Sequence, residues 1–244
     1  MKTFDDRNQI EEIHLFSPKQ IIVTSNIQTT FLNATTLKTE RVIDTFARYD
    51  GLIIIPDMLI TLNDNGEEDE GIISFWDLSD TEEPIRTIEN DPTQRLFPRF
   101  IKLMKQKLIQ GFASGRIQIF DIQTARLIKT IDLHDDPEAY DNDSLYQIVV
   151  QQDKFVALFE GFICLFNYNG DLINEIGAKN TGTIFSLPDN RIVSFGPESG
   201  IVITNLETLE IEPFQEGLIL SMMTVSSSGK IIFIDTNGNL VVFE

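Results

Sequence analysis

The sequence contains very little cysteine and histidine. Cys164 is the only cysteine among 244 residues, and His14 and His134 are the only histidines. A structural zinc site needs about four Cys or His ligands, which these residues cannot supply. Cys164 lies in the apolar run GFICLF, which predicts a buried, unreactive thiol. Neither histidine stands in a pattern that indicates a Ser-His-Asp triad.

Long apolar runs and basic residues are also scarce. No run approaches the roughly 18 apolar residues that a membrane-spanning helix needs, and the start MKTFDDRNQ lacks the order of a signal peptide. We therefore expect a cytoplasmic protein that binds no membrane. The formal net charge of −19 would repel phosphate backbones, so we expect no direct contact with nucleic acid.

Cofactor-binding motifs are absent as well. The sequence contains no GxxxxGK[ST] loop and no strand-linked GxGxxG, which are the patterns that cradle nucleotide phosphates. No acidic run has the spacing of an EF-hand calcium loop. The sequence therefore predicts no cofactor and no metal.

What the sequence does contain is an internal repeat. A small turn residue, a short apolar run and a closing Asx or Glu recur in the segments GIISFWD (71–77), GRIQIFD (115–121), GFICLFN (161–167), GIVITN (200–205) and GNLVVFE (238–244), and more loosely in NIQTTFLN (26–33). These segments follow one another at intervals of roughly forty residues, a period typical of four-stranded propeller blades. The pattern predicts an all-β protein.

Further strands fit around each repeated segment. A second strand precedes each one, as in QDKFVALF (152–159), and another follows five of the six, as in DLINEIG (171–177). The central strands are apolar throughout, which favours burial on both faces. We therefore predict a single β-propeller domain over residues 1–244, with six four-stranded blades. Because the sixth segment ends the chain at Glu244, the N-terminal stretch Met1–Arg7 is predicted to complete the last blade.

One segment also fits a helix. In RLFPRFIKLMKQKL (95–108) the apolar residues have helical spacing, and the basic residues between them would give an amphipathic helix. Pro98 lies inside that helix and would disrupt it. A helix would also remove two strands from the third blade, so we predict strands here.

The repeat resembles that of WD40 proteins. Trp76-Asp77 is a literal Trp-Asp pair, and Phe120-Asp121, Phe166-Asn167 and Phe243-Glu244 are weaker versions of it. The family's Gly-His dipeptide is missing, so its histidine-centred hydrogen-bond network cannot form. The resemblance covers essentially the whole chain and implies a propeller that acts as a protein-interaction scaffold or as a subunit of a larger complex.

Two acidic runs are the candidate site. They are NDNGEEDE (63–70) and DLHDDPEAYDND (132–143), and the residues assigned to partner binding are Asp64, Glu67, Glu68, Asp69, Glu70, Asp135, Asp136 and Glu138. Three interpretations are open: solvated loops, a weak ion site, or a surface for a Lys/Arg-rich protein partner. In WD40-type propellers the connections that carry these runs, and ENDPTQ (89–94), lie on one face, so the resemblance implies a shared acidic surface.

Basic residues are concentrated between the acidic runs. Between Arg95 and Thr130 the only acidic residue is Asp121, whereas the basic residues are Arg95, Arg99, Lys102, Lys105, Lys107, Arg116, Arg126 and Lys129. This segment is interpreted either as a second docking surface or as charged strand edges that prevent edge-to-edge pairing.

Two functions remain after these exclusions. The first is a non-enzymatic interaction scaffold or complex subunit. It is favoured because the sequence shows no combination of nucleophile, base or metal ligands that would form a catalytic site. The alternative is a metal-dependent propeller hydrolase or lactonase with a site in the central channel. That alternative rests on fold analogy and requires acidic or amide side chains on the innermost strands, which are apolar in SLYQIVV (144–150) and GTIFSL (182–187).

Overall fold

The computed structural model contains strands and turns, with no helix in the residues it describes. Those residues are 10–25, 28–44, 47–64, 71–78, 83–89, 98–133, 145–178, 181–196, 200–215, 220–226, 228–235 and 237–243. Within these ranges there is consequently no helical segment of the length and apolarity needed to cross a membrane.

The described strands form six sheets. Sheet 1 contains β1 (Ile10–Ser17), β2 (Gln20–Ser25), β3 (Gln28–Asn33) and β4 (Thr39–Asp44). Sheet 2 contains β5 (Ala47–Ile55), β6 (Met58–Asp64), β7 (Gly71–Asp77) and β8 (Arg86–Glu89). Sheet 3 contains β9 (Pro98–Met104), β10 (Lys107–Phe112), β11 (Ile117–Asp121) and β12 (Leu127–Ile131).

The remaining strands follow the same scheme. Sheet 4 contains β13 (Leu145–Gln151), β14 (Lys154–Phe159), β15 (Phe162–Asn167) and β16 (Leu172–Gly177). Sheet 5 contains β17 (Thr183–Leu187), β18 (Arg191–Gly196), β19 (Gly200–Asn205) and β20 (Ile211–Gln215). Sheet 6 contains β21 (Leu220–Val225), β22 (Ile231–Asp235) and β23 (Leu240–Phe243).

Each sheet is an antiparallel meander in which strands that are consecutive in the chain pair with one another. Sheets 1 to 5 have four described strands and sheet 6 has three. The stretch Met1–Arg7, predicted to complete the last sheet, lies outside the described residues, so ring closure and the final number of blades stay predictions.

The repeated segments occupy equivalent places, as predicted. Gly71 and Gly200 are the first residues of β7 and β19, Gly161 directly precedes β15, and Gly115 and Gly238 lie two residues before β11 and β23. Each glycine therefore introduces the third strand of its sheet. The segment 95–108, which also fitted a helix, contributes β9 and β10 instead.

The central strands are buried on both faces, which explains their unbroken apolar sequence. In sheet 4 every residue of β14 after Lys154 is buried, as are the four inner residues of β15. Val156 and Leu158 pack in a cluster with Ile184 and Ile192 of sheet 5. On the opposite face of sheet 4 the rings of Phe155 and Phe166 stack, with their centroids 4.7 Å apart.

The closing Asx residues are explained by the turns that follow the third strands. Oδ1 of Asn33, Asp121, Asn167 and Asn205 accepts backbone N–H bonds from the residues that come next. Such Asx turns satisfy backbone donors and reverse the chain. At Asp121, hydrogen bonds from the Thr124 side chain and backbone hold the pKa of the carboxyl below its usual value.

The chain packs as two compact units. One comprises Met1–Ile101 and Asp121–Arg126, and the other Lys102–Phe120 and Leu127–Glu244. Sheets 1 and 2 lie in the first unit, and sheets 4 to 6 lie in the second. The single domain over residues 1–244 stays a prediction.

Candidate interaction surfaces

The two acidic runs lie in connections between strands. Asp64 is the last residue of β6, and Gly71 opens β7, so the first run joins the second and third strands of sheet 2. The second run joins β12 to β13. Both placements agree with the sequence prediction. The other seven proposed residues, Glu67, Glu68, Asp69, Glu70, Asp135, Asp136 and Glu138, lie outside the described residues. The shared acidic surface therefore stays a prediction.

The described residues beside each run are held by close packing or by an ion pair. A Cβ on Gly71 would lie 2.0 Å from Cγ of Pro98, so this end of the first run has no space for a side chain. Asp132 opens the second run, and its Oδ1 is 2.6 Å from Nε of Arg116. Close packing at Gly71 and the ion pair of Asp132 thus restrict the described residues at one end of each acidic run.

The first strands of the sheets bear on the hydrolase alternative. Neither Asp, Glu, His nor Cys occurs in β9, β13, β17 or β21. The polar side chains of β13 are used instead to join sheets 4 and 5: Oε1 of Gln147 accepts the backbone N–H of Ile184 at 2.9 Å, and Nε2 of Gln151 donates to the Leu187 carbonyl at 2.7 Å. The polar side chains of β13 thus serve in hydrogen bonds between sheets, and among the six first strands only β1 and β5 contain acidic residues.

The Trp-Asp pair is built into the core of sheet 2. Nε1 of Trp76 on β7 donates to Oγ1 of Thr61 on β6 at 2.9 Å, and both side chains are buried. The indole also packs in a cluster with Ile22 and Phe31 of sheet 1. Although the histidine-centred network cannot form, the tryptophan retains one buried hydrogen bond that fixes its position.

Thr61→Val should lower the free energy of unfolding by about 1–3 kcal/mol, because it leaves the buried indole N–H without an acceptor while nearly preserving side-chain volume. Urea unfolding measures the loss. Thr61→Ser is the matched control, since it keeps the acceptor and removes only a methyl group. If Thr61→Ser is as destabilising as Thr61→Val, the hydrogen bond is not what stabilises this site.

Cys164 is buried, as predicted. Its side chain has no solvent exposure, and burial raises the pKa of the thiol to about 12. A thiol with so high a pKa is almost entirely protonated near neutral pH and is therefore a poor nucleophile.

A recurring contact between sheets was not predicted from the sequence. In each of the first three sheets a cation on the fourth strand reaches the end of the third strand of the next sheet or the turn that follows it. Nη1 of Arg41 donates to the Asp77 carbonyl at 3.3 Å, Nη2 of Arg86 to the Ile122 carbonyl at 2.9 Å, and Nζ of Lys129 to Oδ1 of Asp171 at 2.6 Å. We call these three contacts the inter-sheet clamps.

The clamp residues occupy one position of the repeat. Arg41, Arg86 and Lys129 pair across the strands with Phe31, Phe75 and Ile119. The guanidinium carbon of Arg86 lies 4.5 Å from the centroid of the Phe75 ring, and that of Arg41 lies 5.6 Å from the Phe31 ring. The sequence signal is a cation recurring in the fourth strand, opposite an apolar residue of the third.

The basic segment between the acidic runs does not act as one unit. Arg116 and Lys129 each pair with an aspartate, whereas Lys105 and Lys107 approach the ring of Tyr168 at 5.4 and 3.8 Å. Its members therefore have different roles, and only part of the segment can serve as a docking surface.

Comparison with known proteins identifies the fold. No family model matches the sequence, and no curated protein matches it. The crystal structure of BamB from Moraxella catarrhalis is similar, with a TM-score of 0.63 and 15% identity over 93% of this chain and 67% of that one. A chain in the crystal structure of the mitotic checkpoint complex has a TM-score of 0.71 and 13% identity, over 98% of this chain and 75% of that one.

A third similar structure is described as a WD40 domain. The C-terminal WD40 domain of Sif2 has a TM-score of 0.71 and 13% identity, over 100% of this chain and 69% of that one. At such low identity these likenesses establish the fold alone. In its fold the chain is a WD40-like β-propeller.

Proposed function

We propose that this protein is a non-enzymatic interaction scaffold, or a subunit of a larger assembly, whose acidic runs bind a Lys/Arg-rich segment of a partner protein. The observation that carries the proposal is the location of the acidic residues: they are concentrated in two connections between strands, where side chains can face a partner. The similarity to a chain of the mitotic checkpoint complex and to a WD40 domain supports the scaffold or subunit role, but not the kind of partner.

The hydrolase alternative receives less support. A metal-dependent site in a channel would draw carboxylate or amide ligands from several first strands. Four of these strands contain no acidic residue, and Gln147 and Gln151 of β13 are engaged between sheets. Calorimetric titration with calcium and zinc is the direct check, and tight binding of either ion would favour the alternative.

Ring closure belongs to the same proposal, because a scaffold of this fold must protect its sheet edges. β23 is the last described strand of sheet 6, and its Leu240 and Val242 side chains are 67% and 49% exposed. The side chains of Val241 and Phe243 point to the opposite face of β23 and pack against an apolar cluster formed by sheets 5 and 6. Pairing of Met1–Arg7 with β23 would complete a sixth four-stranded blade.

The test removes the charge of one acidic run. Replacing Glu67, Glu68, Asp69 and Glu70 with Ser should weaken binding of a synthetic Lys/Arg-rich peptide about tenfold and reduce its salt dependence, since several screened charge pairs are lost. Fluorescence anisotropy at two salt concentrations measures both effects.

The matched control removes the same charge elsewhere. Glu83, Asp153, Glu175 and Glu212 are exposed and lie outside the acidic runs, and replacing them with Ser should leave binding nearly unchanged. Equal weakening by both variants would mean that net charge attracts the peptide and that the acidic runs form no site.

A further inference from the structure

Two lysines beside Tyr168 form no ion pair with any carboxylate in the part of the chain that the structure describes. Nζ of Lys107 lies 3.8 Å from the centroid of the Tyr168 ring, and Nζ of Lys105 lies 5.4 Å from it. No ion pair involves either lysine in the described part of the chain. The protein has 38 acidic residues and only 19 basic ones, so two neighbouring lysines that form no ion pair among the described residues are unexpected.

The position of this lysine pair is fixed by the backbone. Lys105 lies in the tight turn between β9 and β10 with a φ of 55°, and Lys107 is the first residue of β10. Nζ of Lys107 donates to the Tyr168 carbonyl at 2.8 Å and to Oδ1 of Asn169 at 3.2 Å. An ammonium group has three N–H donors. One donor of Lys107 therefore remains for a ligand, and the exposed Lys105 offers further donors.

Partial burial disfavours the charged form of the Lys107 ammonium group. It lowers the pKa of Lys107, and the nearby Asp171 only partly opposes that effect. Asp171 is already bound to Lys129, with Nζ and Oδ1 2.6 Å apart. An added carboxylate would supply further counter-charge to the partly buried ammonium group.

The lysine pair and the second acidic run lie at opposite ends of sheet 3. Lys105 and Lys107 are at the turn between the first and second strands, whereas Asp132 follows the fourth strand and pairs with Arg116 near the start of the third. Because β10 has six residues, strand geometry separates these ends by roughly 20 Å. A partner at one end need not displace a partner at the other.

We propose that Lys105 and Lys107, together with the adjacent Tyr168 ring, form a second docking site, which binds an acidic segment of a partner protein. Charge complementarity identifies the segment as rich in Asp or Glu. Leu172 and Ile173 follow Asp171 in the chain and have exposed side chains, and because successive side chains of a strand point to opposite faces, at most one of them can add apolar area to this surface. A peptide with both carboxylates and aliphatic residues fits this surface better than a free anion.

A synthetic peptide that alternates Glu with Leu is the probe. The double variant Lys105→Asn and Lys107→Gln should bind it about tenfold more weakly, since two charge pairs with the peptide are lost. Asn tolerates the left-handed backbone at position 105, and Gln retains a donor for the Tyr168 carbonyl. The control variant, Lys19→Asn and Lys38→Gln, removes two exposed lysines of sheet 1 and should bind as the unaltered protein does.

Each outcome decides the proposal. Selective loss of peptide binding in the Lys105/Lys107 variant supports it, provided that the circular dichroism spectrum and the urea unfolding midpoint of the variant match those of the unaltered protein, which shows that the variant is folded. Equal loss in both variants overturns it. Competition by inorganic phosphate as strong as that by the peptide would also overturn it, because the site would then recognise an anion alone. Self-association that the double variant abolishes would identify a second copy of this chain as the occupant, and would likewise overturn it.

Discussion

Arg86→Met should lower the free energy of unfolding by about 2–4 kcal/mol. The guanidinium group of Arg86 donates to the carbonyls of Ile122 and Gln123 in the turn after β11, and net hydrogen bonds to charged groups contribute about 1.5–3 kcal/mol each. Methionine retains much of the side-chain volume against Phe75, so the loss reports mainly on the hydrogen bonds and the cation–π contact. Urea unfolding followed by fluorescence and circular dichroism measures it.

Lys129→Met is the matched comparison, because Lys129 occupies the same position of the repeat in sheet 3. Its side chain is 35% exposed and its partner Asp171 is 60% exposed. An exposed ion pair contributes little net stability because solvent screens it, so this variant should lose far less stability than Arg86→Met. If the two variants lose equal stability, burial does not set the strength of the inter-sheet clamps.

The clamps are unevenly distributed along the chain. The equivalent positions in sheets 4 and 5 are Asn174, which pairs with Leu165, and Glu212, which pairs with Ile203. Neither side chain carries a positive charge. Sheets 4 and 5 are joined instead through Gln147 and Gln151 of β13 and by an apolar cluster that contains Val156 and Ile184. The repeat therefore conserves the geometry of its strands but uses different contacts between sheets.

The strands were predictable from the sequence because local features determine them. Gly115 and Gly161 have φ values of 86°, and such left-handed backbone favours glycine just before a third strand. Asx residues such as Asn167 close the same strands by accepting backbone hydrogen bonds. Both features act within a few residues, so their spacing along the chain revealed the strand order. The helical spacing of 95–108 was misleading, because burial on both faces of a strand can produce the same apolar pattern.

The contacts between sheets were not predictable in the same way. The inter-sheet clamps depend on the register of β4 and β8 and on the distance to a turn in the next sheet, and neither is encoded locally. For the candidate site, the sequence placed the acidic runs in the correct connections, with Asp64 at the end of β6. It did not separate Lys105 and Lys107 from Arg116 and Lys129, because only the three-dimensional structure shows which cations have carboxylate partners.

Gly71→Ala should destabilise the protein by about 1–3 kcal/mol, because overpacking forces the surrounding structure to move. The added Cβ would lie 2.0 Å from Cγ of Pro98, the first residue of β9, and 3.0 Å from its Cδ. The proline ring is rigid, so the backbone of β7 or β9 must shift to accommodate the methyl group. Thermal and urea unfolding both measure the effect.

Gly177→Ala provides the control for this substitution. Gly177 is the last residue of β16, and nothing lies within 4 Å of the Cβ that alanine would add. Alanine there should be neutral or should stabilise the protein by about 0.4–1 kcal/mol, since it restricts the unfolded chain. Loss of stability in Gly71→Ala but not in Gly177→Ala would show that close packing against Pro98 fixes the end of the first acidic run. If Gly71→Ala is neutral, β7 and β9 can separate without cost, and that run lacks the rigid anchor on which a preformed acidic surface would depend.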